Sequence, residues 1–203
     1  MSAVDYFLYP ESLPEGGQVV LEDLDGNTAP GPFTGASADL RLKTSGTGTN
    51  FKLEVSGIAE SGVGNEYGAH LHTYDCGEAP PRPPGALVDP PNGGPHYNHD
   101  VHYYGKAFPT RGQLPSETVA EVSPTTEAWF TFRPNAHGDA TADTFVPFVP
   151  VDADKKMSIV IHLLPTNTEL DYPTNPGLIG SAGGRQACFP IDASKWAPDP
   201  PTP

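Results

Sequence analysis

The stretch Gly68-Ala69-His70-Leu71-His72 has the two-residue period of a β-strand. Because side chains alternate across a strand, His70 and His72 share one face and Leu71 takes the other. Two imidazoles placed two residues apart on a rigid strand form a preorganised chelating pair for a metal ion. The stretch therefore predicts a strand with one face toward the core and metal ligands on the other.

Two further histidines occur in segments that can reach the same ion. Gly94-Pro95-His96-Tyr97-Asn98 is typical of a loop, and Ser158-Ile159-Val160-Ile161-His162 is typical of a second strand. Apolar residues occupy alternate positions of the run 157–163, so we expect that face to enter the core and His162 to point away from it. Four imidazole nitrogens suit Cu(II). We therefore predict a copper site on the outer wall of the β-structure, under a roof of loops. The predicted ligands are His70, His72, His96 and His162.

Short strand-forming runs alternate with turn signals along the chain. The runs are 18–24, 38–44, 50–55, 67–72, 128–132, 141–149, 157–163 and 186–191, with turns at 25–27, 45–48, 135–139 and 152–154. No helical period stands out, so we expect no helix. The pattern predicts an all-β sandwich or barrel in one domain over 1–195. The long loops 74–126 and 165–184 would form the roof, and the proline-rich end 196–203 would be a mobile tail.

The composition excludes several classes of function. The net charge is −14, and lysine and arginine total 11 without clustering, which argues against nucleic acid and against anionic membrane surfaces. No apolar run approaches the length of a membrane span, so we expect no membrane insertion.

The two cysteines bear on the compartment but leave two alternatives open. Cys76 and Cys188 are either buried free thiols or one disulfide, which would close a long loop and stabilise the fold by roughly 4–5 kcal/mol. The disulfide would favour an oxidising compartment. The start of the sequence lacks the basic and apolar regions of a signal peptide. Either the protein is cytosolic, or the chain is a mature form with its leader removed. We expect the second, a secreted, periplasmic or cell-surface protein.

Taken together, the histidine segments resemble the copper/zinc superoxide dismutase family, from residue 18 to residue 191. The first segment looks like the family's paired copper ligands, with Cys76 soon after it. The loop segment looks like the one that carries the histidine bridging copper and zinc, and 158–162 looks like the strand with the last copper ligand. Gly180-Ser181-Ala182-Gly183-Gly184-Arg185-Gln186-Ala187-Cys188 looks like the segment with the active-site arginine and the second cysteine.

The resemblance implies a Greek-key β-barrel or sandwich of about eight antiparallel strands and a catalytic role for two residues. Arg185 would attract and orient superoxide beside the open copper position, and His96 would release reduced copper, take up a proton and return it. Cys76 and Cys188 would form a disulfide.

The zinc side departs from the family, so we expect copper and doubt zinc. The positions that would supply the remaining zinc ligands hold Tyr104, Thr110 and Gln113, and neither a hydroxyl nor a neutral amide is a good zinc ligand. A different second site could form from nearby side chains of the same loop. Its candidate ligands are His99, Asp100 and His102. His137 lies in a turn, and we expect it to be exposed and not a ligand.

The loop before Arg185 departs as well. From Leu163 to Gly184 it has no lysine or arginine and two acids, Glu169 and Asp171, whereas the family usually places cations there. Two alternatives to the dismutase stay open: a copper-storage protein of the same fold, and a structural domain with vestigial histidines.

Overall fold

The structure is a computed structural model that describes residues 5–8, 31–45, 47–76, 94–107, 115–150, 156–166, 168 and 182–192. These residues form eight strands: β1 (Asp5–Leu8), β2 (Ser37–Ser45), β3 (Gly48–Ser56), β4 (Tyr67–His72), β5 (Trp129–Phe132), β6 (Ala140–Val146), β7 (Lys156–His162) and β8 (Arg185–Asp192). The predicted strand 18–24, the turns 25–27 and 152–154, the tail 196–203, Thr110, Gln113, Glu169 and Asp171 lie outside the described residues.

The strands form two antiparallel four-stranded sheets, in the orders β1-β2-β3-β6 and β5-β4-β7-β8. β4, β5 and β6 follow one another along the chain, and β7 returns to lie beside β4, which is a Greek-key connection. The prediction of an all-β fold is confirmed, as a sandwich. Strand pairing within the described parts does not close a barrel.

The core lies between the two sheets and is built from the alternate apolar positions of the strands. Phe51 of β3 meets Phe130 of β5 edge-on across it, with ring centroids 6.1 Å apart. Leu71 of β4 and Ile161 of β7 are at most 1% exposed within the same core. The opposite faces of β4 and β7 are therefore free to carry other side chains.

Those opposite faces are nevertheless buried. His70, His72 and Ser158 have no exposed surface, and Val160 packs in a separate cluster with Cys76 and Cys188. The outer faces of β4 and β7 are thus covered, and the described parts of the loops that follow these strands contact the histidines there, through His96 and Thr166.

The prediction of no helix is wrong. A six-residue helix, α1 (His99–Tyr104), begins after Asn98, whose side chain accepts a hydrogen bond from the amide of Val101. It ends at Gly105, which adopts the left-handed conformation with φ 68°. Both residues are typical helix caps, but no residue of α1 is buried, so the helix has no apolar period to detect. The described residues also include a 3₁₀ turn at Glu60–Gly62.

Cys76 and Cys188 form a disulfide with their Cα atoms 5.6 Å apart, so the alternative of two free thiols is excluded. The bond ties the loop after β4 to β8 and favours an oxidising compartment. Neither helical segment in the described ranges has the length and apolar character needed to cross a membrane.

Candidate metal centre

Four histidines meet on the covered outer face of the second sheet. One ring nitrogen from each lies within 4.8 Å of those of the others, close enough for one metal ion. Three of the rings are at most 5% exposed, whereas the side chain of His96 is 21% exposed. The structure thus brings together the predicted copper ligands, His70, His72, His96 and His162.

Backbone pairing places each of these rings. β4 and β7 are adjacent, with His70 opposite Val160 and His72 opposite Ser158. The register of β7 against β8 shifts between Ile161 and His162, at the end of the strand.

His96 reaches the strands through a short extension of the sheet. It forms an isolated antiparallel bridge with His72. The amide of Tyr97 donates to the carbonyl of Leu71 at 2.7 Å, and the amide of Thr73 donates to the carbonyl of Pro95 at 3.2 Å. The loop is therefore docked on the end of β4 as though it were one more strand.

Each histidine is held through one ring nitrogen. His72 Nδ1 donates to the carbonyl of Gly94 at 2.9 Å, and His162 Nδ1 donates to the carbonyl of Gly183 at 3.1 Å. His70 Nε2 shares a hydrogen bond of 2.9 Å with the hydroxyl of Thr166. These contacts set the ring orientations and leave the second nitrogen of each ring for another partner.

The second nitrogens of three rings have no partner within the protein. His70 Nδ1, His72 Nε2 and His162 Nε2 are buried without a hydrogen bond. An unsatisfied buried polar atom costs about 1–3 kcal/mol, so three in one place need an explanation. A metal ion supplies one, since metal-bound histidines commonly donate their other ring N–H to an oxygen. The residues therefore fit a metal ion.

The electrostatics of the cluster favour neutral imidazoles. Burial, followed by the charges of neighbouring groups, holds the pKa of His70 and of His72 well below the usual value. Burial also lowers the pKa of His162 to about 3. All three rings are therefore neutral at neutral pH, and the neutral ring is the form that binds metals.

Arg185 lies at the edge of this cluster. It stands opposite His162 in the pairing of β7 with β8, and its Nη2 donates to the carbonyl of Gly94 at 2.6 Å. That carbonyl also accepts from His72, so it links the guanidinium to one of the four clustered rings. Burial lowers the pKa of Arg185 to about 10, which leaves it charged at neutral pH.

Gly94 has a backbone conformation and a close contact that only glycine accommodates without strain. Its φ is 66°, and a Cβ atom there would overlap the ring of Tyr74. Both observations explain why the loop turns at this residue, with its carbonyl toward the metal centre.

Glu127 is a buried side chain of the candidate site that the sequence did not reveal. It is 2% exposed, and its Oε2 accepts from His96 Nδ1 at 3.0 Å and from Trp129 Nε1 at 2.9 Å. Its Oε1 accepts from Asn98 Nδ2 at 3.1 Å. The residue precedes β5 in a polar segment and belongs to no recognisable motif, so only the folded chain shows that it faces His96.

The candidates for a second metal site do not come together. His99 stacks on Phe148 with ring centroids 4.5 Å apart, and His102 stacks on Tyr97 at 4.8 Å. Asp100 instead pairs with Lys106 at 2.7 Å. Within the described ranges, the four-histidine cluster is the one group of ligand atoms close enough for a metal. Tyr104 is exposed, and His137 lies in an exposed turn as predicted.

No protein-family model matches the chain, and a search of curated protein sequences finds no match either.

Proposed function

We propose that this chain is a copper-dependent superoxide dismutase, similar in fold and site to the copper/zinc family. The observation that carries the proposal is the set of buried ring nitrogens without a partner, converging beside a charged arginine. Four imidazole ligands suit copper.

Bound copper would supply a one-electron couple, through which two superoxide ions and two protons become dioxygen and hydrogen peroxide. The chain's own residues then have three tasks: to attract the anion, to move a proton and to keep the ligand rings fixed.

Attraction of the anion falls to Arg185. Its guanidinium is charged at neutral pH and partly buried, so solvent screens its field less than that of a surface group. The carbonyl of Gly94 fixes its position relative to the ligand ring of His72. A purely structural or storage site would not need a cation there.

Proton movement falls to His96. It is the most exposed of the four rings, and Glu127 holds its Nδ1 while Nε2 remains for the metal. A free Nε2 would be able to accept a proton and donate it to the reduced substrate, while the carboxylate of Glu127 keeps the ring in place.

The same contact supports copper as the single metal. A histidine that bridges two metals needs both ring nitrogens, and here one of them is committed to Glu127. We therefore propose that His96 serves copper alone and that zinc is absent. The disulfide further supports function outside the cytoplasm, in a secreted, periplasmic or cell-surface setting.

The test is superoxide consumption by the copper-loaded protein, compared with the metal-free protein and with two variants. Arg185→Lys keeps the charge but loses the planar fork, and we expect a reduced rate with copper still bound. Arg185→Glu should lose most of the rate. If both variants consume superoxide as fast as the wild type, or if the copper-loaded wild type consumes none, the dismutase proposal fails and copper storage becomes the better account.

A further inference from the structure

Glu127 is held by more than the histidine it faces. One oxygen of its carboxylate accepts a hydrogen bond from the side-chain amide of Asn98. The other oxygen accepts hydrogen bonds from both His96 and Trp129. All three donors converge on a side chain that is 2% exposed. A carboxylate fixed at both oxygens cannot rotate to offer a different atom to the ring.

The two other donors come from rigid parts of the fold. Trp129 begins β5 and stands opposite His70 in the pairing of β4 with β5. Asn98 is fully buried, and it is also the residue whose side chain caps α1. The position of the carboxylate is therefore set by the second sheet on one side and by the helix on the other.

Trp129 also contacts the centre directly through its ring. The ring centroids of Trp129 and His70 are 6.4 Å apart, with an interplanar angle of 69°. Trp129 is 8% exposed. Trp129 thus packs beside His70 and, through Glu127, is connected by hydrogen bonds to His96.

We propose that Trp129 is a positioning residue for the metal centre. Its indole N–H fixes the carboxylate of Glu127, and the carboxylate fixes the ring of His96 with Nδ1 inward and Nε2 toward the metal. The role of that ring at copper rests on the proposed function, whereas the orientation of the ring can be measured without copper.

The experiment measures the imidazole nitrogens of the full-length, metal-free protein by long-range ¹⁵N–¹H NMR. In the wild type we expect His96 in one dominant form that carries hydrogen on Nδ1. Trp129→Phe removes the indole N–H, so Oε2 of Glu127 keeps His96 as a donor but loses the donor that is independent of that ring, and the carboxylate orients His96 less firmly. We then expect a second population of His96, or exchange broadening confined to its ring signals.

A second replacement guards against simple misfolding. The chain has two tryptophans, so in a Trp196→Phe background the remaining Trp129 can be replaced by benzothienylalanine. This analogue keeps the shape of the indole but has sulfur where the N–H was. The matched control is Phe130→Leu, which removes a buried aromatic ring from the core side of the same strand, away from Glu127. It should lower stability and leave the His96 signals unchanged.

Copper affinity, measured by competition with a chelator, is the second readout. Loss of a group that orients a ligand typically lowers metal affinity by about 10-fold to 100-fold. We expect a loss in that range for both Trp129 replacements and a smaller one for the control. An unchanged His96 spectrum in the benzothienylalanine protein overturns the proposal, whatever the superoxide assay shows. A changed spectrum supports it even if the wild type fails that assay.

Discussion

At the candidate metal centre every histidine is held through one ring nitrogen, but the hydrogen-bond partners of these nitrogens differ. Two rings donate to carbonyls and one meets a hydroxyl, whereas His96 alone meets a carboxylate. His96 is also the most exposed of the four. Three rings are therefore buried and have uncharged partners, whereas the fourth combines a carboxylate partner with access to solvent.

The buried rings should make the metal-free protein acid-sensitive. The folded-state pKa values of His70, His72 and His162 lie below the unfolded value of about 6.5. Above about pH 6.5 these rings are neutral in both the folded and the unfolded chain. As pH falls below that value the unfolded chain binds more protons than the folded chain, so the free energy of unfolding decreases. Each ring should contribute a slope of roughly 1 kcal/mol per pH unit.

Urea unfolding of the metal-free protein at a series of pH values measures this slope. The comparison is His162→Gln, which removes one of the depressed groups and should flatten the curve. His137→Gln changes an exposed turn residue and should leave the curve as it is. A wild-type curve that is level from pH 7 to pH 5 would contradict the burial of neutral rings.

Among the elements, those with a regular period were predictable and those built by long-range contacts were not. The alternation in β4 and β7 gave both the strands and the side on which His70, His72 and His162 lie, since a pleated strand has two faces. α1 lacks a buried face, and β1 has four residues, so neither has a pattern of useful length. Glu127 was missed because its role depends on a loop folding across the end of β4.

The docking of the loop 94–98 on β4 offers a test at this scale. Gly94→Ala would force a left-handed residue to carry a Cβ and would push that Cβ into the ring of Tyr74. Gly105→Ala is the matched control, since Gly105 has φ 68° and open space around the same position. The control should lose about 1 kcal/mol of unfolding free energy from backbone strain alone.

Gly94→Ala should lose more than the control, about 2–4 kcal/mol, because strain and overlap add. It should also bind copper more weakly, since the carbonyl that orients His72 and Arg185 moves. Chemical unfolding and chelator competition measure the two effects. Equal losses of unfolding free energy in the two variants would show that the close approach of Gly94 to Tyr74 does not add to the cost of the substitution.

For the whole molecule, the feature that bears on function is charge. The chain has a net charge of −14, and its segment 163–184 has no lysine or arginine. A superoxide ion is therefore repelled at long range and attracted close to Arg185. Salt screens the long-range repulsion more than the short-range attraction, because the Debye length is about 8–10 Å near physiological ionic strength.

The rate of superoxide consumption should accordingly stay flat or rise slightly as salt is added. Arg185→Glu should lower the rate at every ionic strength. Arg133→Glu makes the same change in net charge at an exposed residue beyond the end of β5, and its small effect should fade with salt. A steep fall in the wild-type rate with added salt would mean that a positive field guides the substrate after all.

The claim on which the whole account depends is that four histidines bind one copper ion per chain. Titration of the metal-free protein with Cu(II), followed by electron spin resonance, measures stoichiometry and ligand type together. We expect saturation at one equivalent, a tetragonal spectrum with nitrogen ligands, loss of this spectrum in His72→Ala and its retention in His137→Ala. A titration without a stoichiometric end point, or an unchanged spectrum in His72→Ala, would contradict it.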